Sequence, residues 1–123
     1  MNKIMEVLDR IIHVPGNFHR LGNISVFNLI NEAQYLEVRD RVSEQDISDA
    51  LTRYPEVLDD WMQYSEDKRS MGWYIVERPK GAFLVGYIGD RGVGESLTFA
   101  NRKDACAAFI KREVDAILSR REK

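Results

Sequence analysis

At Gly72 the apolar periodicity of the chain changes from that of a helix to that of a strand, and this change constrains the fold more than any other feature. Before it, apolar residues recur every three or four positions. After it, in GWYIVER, Trp73, Ile75 and Glu77 alternate with Tyr74, Val76 and Arg78. The two periods require different backbones, so Gly72 marks a helix-to-strand junction. The residues leading into it, YSEDKRSMG at 64–72, are largely polar or charged. At such a junction the charged side chains project from the helix end while Trp73 and Ile75 enter the core. Lys68 and Arg69 are expected to satisfy carbonyls at that end, and Ser65 or Asp67 to anchor the turn toward Gly72.

On the N-terminal side, Ile4, Val7, Leu8, Ile11 and Ile12 form one helical stripe over residues 3–12. Val14-Pro15-Gly16-Asn17 is expected to stop that helix, with a loop to Asn23. Ser25 is placed to cap a second helix carrying Val26, Leu29, Ile30, Ala33 and Leu36, although ISVF is also strand-like. Ser43 and Asp46 have capping-box spacing with the shorter acid, and they start a helix with Ile47, Ala50, Leu51 and Tyr54 inward. Pro55 suits the first turn of another, with Val57, Leu58, Trp61 and Met62 on its apolar side.

Beyond Gly72, Pro79-Lys80-Gly81 is a turn signal, with the positive φ expected at the glycine. Phe83, Val85 and Tyr87 alternate with Leu84, Gly86 and Ile88. The glycine-rich GDRGVGE reads as a hairpin connection leading to a short strand at 96–99. Asn101 caps a last helix with Asp104 in its first turn, and Cys106, Phe109, Ile110, Val114, Ile117 and Leu118 form its stripe. The expected architecture is α+β: N-terminal helices, a three-stranded antiparallel β-meander and a C-terminal helix packed on the sheet. Residues 1–123 form one domain. Trp73, Ile75, Phe83, Val85, Phe109, Ile110 and Ile117 are expected in one core, because a small sheet needs helices over one face.

Few residues carry chemistry. His13 and His19 straddle the Pro-Gly pair with no cysteine or paired acid near them, so neither a metal nor a cofactor is expected. Cys106 is the only cysteine, which excludes an internal disulfide and a cysteine-built metal site. It lies among alanines and reads as a small core hydrophobe. The Gly89–Gly94 stretch matches neither GxxxxGK[ST] nor GxGxxG before a helix. Arg102, Lys103, Lys111, Arg112, Arg120 and Arg121 lie on the last helix without aromatic interleaving, so nucleic-acid binding is not expected. No catalytic constellation emerges, and no enzyme activity is expected.

Charge is more informative. Net charge is −2, yet residues 32–67 hold eleven acids against three bases, net −8, while residues 68–123 are net +5. So acidic a segment attracts basic proteins and repels nucleic acid. Asp59, Asp60, Glu66 and Asp67 are the best candidates for a binding face, with Tyr64 as an aromatic neighbour. No apolar run approaches the roughly 20 residues of a membrane span, and MNKIMEVLDR has acids within its apolar periodicity, unlike a signal peptide. A cytoplasmic protein is expected.

Taken together, WMQYSEDKRSMGWYI at 61–75, Val85-Gly86-Tyr87, Phe99 and DACAAFIKREVD at 104–115 give a broader pattern. Residues 57–118 resemble the small immunity proteins of bacterial polymorphic-toxin and contact-dependent growth inhibition systems. The resemblance implies a cytoplasmic protein that binds and neutralises a cognate toxin C-terminal domain by stoichiometric inhibition. Many such toxins are basic nucleases, which an acidic surface suits. The toxin-facing surface differs between these families, so no binding residue carries over. Two rival readings are a small-molecule-binding or regulatory domain with a pocket between sheet and helices, and an enzyme whose site has no recognisable motif.

Overall fold

A computed structural model describes residues 3–22, 25–67, 72–89 and 92–122. The helices are α1 (Lys3–Ile12), α2 (Val14–Leu21), α3 (Val26–Glu32), α4 (Glu44–Arg53), α5 (Val57–Asp67) and α6 (Arg102–Glu122). The strands are β1 (Gly72–Glu77), β2 (Phe83–Gly89) and β3 (Gly92–Phe99), forming an antiparallel sheet in the order β1-β2-β3. The fold is α+β with α6 packed on the sheet, as the change of period at Gly72 requires.

Local signals account for most element boundaries. Ser25 Oγ accepts from the Asn28 amide. The Ser43 and Asp46 side chains each bond the other's backbone amide, completing the capping box of α4. Asn101 Oδ1 accepts from the Asp104 amide at 2.9 Å and caps α6. Such caps satisfy amides that a helix leaves open at its start.

Residues 14–21 form a helix where a loop was expected. Pro15 sits in the first turn of α2, where its missing N–H costs nothing. The chain therefore turns at His13 and begins a new helix. At Gly16 α2 faces α5: a Cβ there would lie 3.4 Å from Asp60 Oδ2, an ordinary contact. Gly22, at φ 74°, ends the helix.

Leu36 departs from the expected inward stripe. α3 stops at Glu32, and Gln34 takes φ 67°, which resets the phase of the chain. Tyr35 is thereby fully buried, while Leu36 is 53% exposed.

β3 is longer than the expected 96–99. Gly89, Gly92 and Gly94 belong to the hairpin strands, and the ladder carries a bulge between Gly86 and Ile88. Gly89 makes room for an aromatic ring: a Cβ there would lie 3.0 Å from the Tyr87 ring, whereas one on Gly94 would be in ordinary contact at 3.6 Å. Glycine here serves close packing at a bulge rather than strand termination. In the turn before β2, Lys80 as well as Gly81 has positive φ, at 70° and 79°.

Strand pairing assigns the two sheet faces. Ile75 lies opposite Val85, and Glu77 opposite Phe83. Ile75, Val85 and Phe83 are buried beneath the helices together with Phe109, Ile110, Val114 and Leu118 of α6. Trp73 and Ile117, also expected in this core, are partly buried against it. Six consecutive α6 residues, 105–110, are buried, because α6 is covered by the sheet on one side and by α4 and α5 on the other. The outer sheet face carries Tyr74, Val76, Leu84 and Ile88. The Tyr74 ring lies over Gly86, where an added Cβ would meet its hydroxyl at 2.5 Å.

At the junction that ends α5, Ser65 is buried, and its Oγ accepts from the Ile75 amide at 2.8 Å and donates to the Ile75 carbonyl at 3.1 Å. One hydroxyl thus takes the place of a neighbouring strand at the edge of β1. Ser65, rather than Asp67, is the anchor. Lys68 and Arg69, expected to satisfy helix-end carbonyls, lie outside the described residues.

A candidate protein-interaction surface

α5 is amphipathic in the strict sense. Val57, Leu58, Trp61 and Ser65 face the interior, and Asp59, Asp60, Gln63, Glu66 and Asp67 are exposed. This follows from helical spacing, which puts residues three and four apart on one face. The helix carries four acids and no base.

The acids differ in their surroundings. Asp59 pairs with Arg102 at 2.7 Å. Asp60 faces the first turn of α2, where a carboxylate complements the helix dipole. Asp67 accepts from the Gln63 side chain at 2.9 Å. Glu66 lines an open groove of about 790 Å³ along β1, with Met62 from α5 and Tyr74, Val76, Glu77, Arg78 and Ile88 from the sheet. Tyr64 turns inward instead of joining the acids. Its hydroxyl donates to Glu113 Oε2 at 2.7 Å, and its ring packs on Trp61 and Phe109.

Part of the acidity of residues 32–67 is spent within the fold. Glu37 pairs with Lys3, Glu44 with Arg112, and Asp59 with Arg102. Arg112 also lies over the Trp73 ring. Acidic and basic segments far apart in sequence thus meet across α4, α5 and α6. A second cluster fixes the short turns after α3 to α6. The Tyr35 hydroxyl donates to Asp115 Oδ1 and accepts from Lys111, while Arg39 bonds Asp115 and Ser119.

His13 has a structural role. His13 Nδ1 lies 2.6 Å from the Asp9 carbonyl oxygen, to which it donates, and the ring meets Tyr54 edge-on. The His19 side chain lies outside the described residues. No group of three or more His, Cys, Asp or Glu arranged to hold a metal ion occurs among the described residues. Among them, too, no helix is long and apolar enough to cross a membrane.

Cys106 is fully buried. Burial pushes its thiol up to about 12, with Arg102 lowering and Asp59 raising it further. Burial, reinforced by Asp115, also raises Tyr35. Both groups are neutral when protonated, so their raised folded-state values give stability that is complete below the unfolded pKa and lost as pH rises. Stability is therefore expected to fall from about pH 9 upward, and Cys106 to resist thiol reagents until the chain unfolds. Urea titrations between about pH 8 and 11 check this. An unfolding midpoint that rises with pH, or fast labelling of the folded protein, contradicts it.

No protein-family model, curated protein or solved structure matches the chain.

Proposed function

We propose that this protein is an immunity protein that binds one cognate toxin domain and neutralises it by occupying its surface, with no chemistry of its own. The observation that carries this reading is the exposed face of α5. Asp59, Asp60, Glu66 and Asp67 stand there on a helix that carries no base of its own, Asp59 being paired with Arg102 of α6, and the face runs into an apolar groove beside β1. An acidic surface with adjacent uncovered apolar side chains is suited to a basic protein partner. A basic nuclease domain, acting in the same compartment, is the partner proposed. The four acids form only part of such an interface, since a stable one buries roughly 1,600 Å² in total.

The small-molecule reading lacks comparable support. The space between the sheet and α6 is filled by Ile75, Val85, Phe109 and Ile110, and the large groove opens on the outside of the sheet.

The test takes the product of the gene immediately upstream, which this reading expects to be the toxin. A one-to-one complex that abolishes the toxin's activity is expected. Rim acids act chiefly on association rate. The variant Asp59→Asn/Asp60→Asn/Glu66→Gln/Asp67→Asn is therefore expected to associate more slowly and with a shallower salt dependence, the Debye length being about 8 Å at physiological ionic strength. An unchanged rate and salt slope would remove α5 from the interface, and no complex at all would remove the reading.

A further inference from the structure

We propose that the groove between α5 and the outer face of β1 is the specificity pocket of this protein, and that it takes an apolar side chain flanked by lysine or arginine from a basic protein segment. The proposal rests on the toxin-binding reading above and locates its centre away from the Asp59–Asp60 end of α5. Three observations carry it. First, Val76 and Ile88 are 38% and 43% exposed on the same sheet face, and with Met62 and Tyr74 they line the groove. Large apolar side chains grouped in this way mark interaction sites, whereas scattered ones do not.

Second, both walls carry acids. Glu66 stands on the α5 wall and Glu77 on the strand wall, with Arg78 the single base among the described residues that line the groove. The α5 wall extends into Asp67 and the other acids, so the surroundings select a cationic occupant. An apolar anchor ringed by complementary charge is the usual form of an interface hot spot.

Third, the groove does not act by extending the sheet at its centre. Ser65 already uses both the amide and the carbonyl of Ile75 at this edge. A strand laid beside β1 finds those groups occupied, which removes the backbone pairing that strand addition requires. Recognition is therefore by side-chain insertion.

Two experiments test this. In the first, backbone amide resonances are followed while a short peptide alternating lysine and leucine is added, with a glutamate–leucine peptide as control. Shifts at Glu66, Val76, Glu77 and Ile88 with the lysine peptide alone are expected. Equal shifts with both peptides, shifts centred on Asp59 and Asp60, or no shifts overturn the proposal. So do concentration-dependent shifts of these amides without peptide, which would assign the groove to a second copy of this chain. In the second, binding of the toxin domain is compared for Val76→Glu, Glu66→Lys and, on α3, Glu32→Gln, all at exposed positions. Losses of about tenfold or more for the first two, and little change for the third, are expected. Binding that survives the first two changes overturns the groove while leaving the immunity reading intact. Failure of the wild type to bind overturns the immunity reading, and the peptide experiment still judges the groove.

Discussion

Trp61→Ala is expected to lower the unfolding free energy by about 3–5 kcal/mol. Trp61 is 1% exposed and among the largest fully buried side chains. Its ring meets Tyr64 and Phe109 edge-on, at centroid separations of 5.5 and 6.1 Å. Its Nε1 donates to the Ile12 carbonyl at 2.9 Å. That carbonyl ends α1, where helix carbonyls lack intrahelical donors. One side chain therefore joins α5 to α1 by a hydrogen bond and to α6 by packing. Truncation opens a cavity and strips a buried acceptor of its partner. Trp61→Phe separates the two losses: it retains much of the packing but removes the donor, and about 1–3 kcal/mol is expected. Urea unfolding with an unchanged m-value measures both. If Trp61→Ala cost under about 1 kcal/mol, the three helices would not depend on this ring. Domains of this size are stable by roughly 5–15 kcal/mol, so the truncated protein would be marginal.

Ser65→Ala is expected to cost about 2–5 kcal/mol, far more than a serine-to-alanine change usually does. The cause is the pair of bonds from one hydroxyl to the amide and carbonyl of Ile75. Ile75 is 2% exposed and Ser65 8% exposed, so water does not readily replace what is lost. Each unpaired buried group costs about 1–3 kcal/mol. Exchange of the Ile75 amide with solvent is expected to accelerate in the variant beyond the change at Val85, its partner across the strands. Gln63→Ala, on the exposed face of the same helix, is expected to fall within about 0.5 kcal/mol of wild type. Equal costs for Ser65→Ala and Gln63→Ala would show that the edge of β1 does not need the hydroxyl.

The sequence alone determined the elements whose signal is local. The change of period at Gly72 placed β1 because strand alternation is a property of neighbouring residues. Ser25, Ser43 with Asp46, and Asn101 located three helix starts, because capping bonds span only three residues. The burial of Cys106, Phe109 and Ile110 was legible in the stripe of α6. Local signals misled where one residue type serves two ends. Pro15 is the residue type that stops α1, and here it forms the first turn of α2. Gly89, Gly92 and Gly94 fit a loop by residue type, yet they belong to a bulged hairpin in which Gly89 leaves room for Tyr87.

Only the tertiary structure decided which charged and aromatic groups remain available on the surface. Composition counts the acids of residues 32–67, but an ion pair depends on distance in space. Asp59 and Arg102 are 43 positions apart in sequence and 2.7 Å apart in the fold. Tyr64 looked like a surface aromatic, and only the position of Glu113 on α6 turns its hydroxyl inward. Ser65 was legible as a candidate anchor beside Asp67, but its partner was not, since only the fold brings Ile75, ten positions on, to its hydroxyl. The groove has the same origin: Met62 and Glu66 come from α5, Val76, Glu77 and Ile88 from the sheet. No local pattern joins them, because the packing of α5 against the edge of β1 is what brings them to one surface.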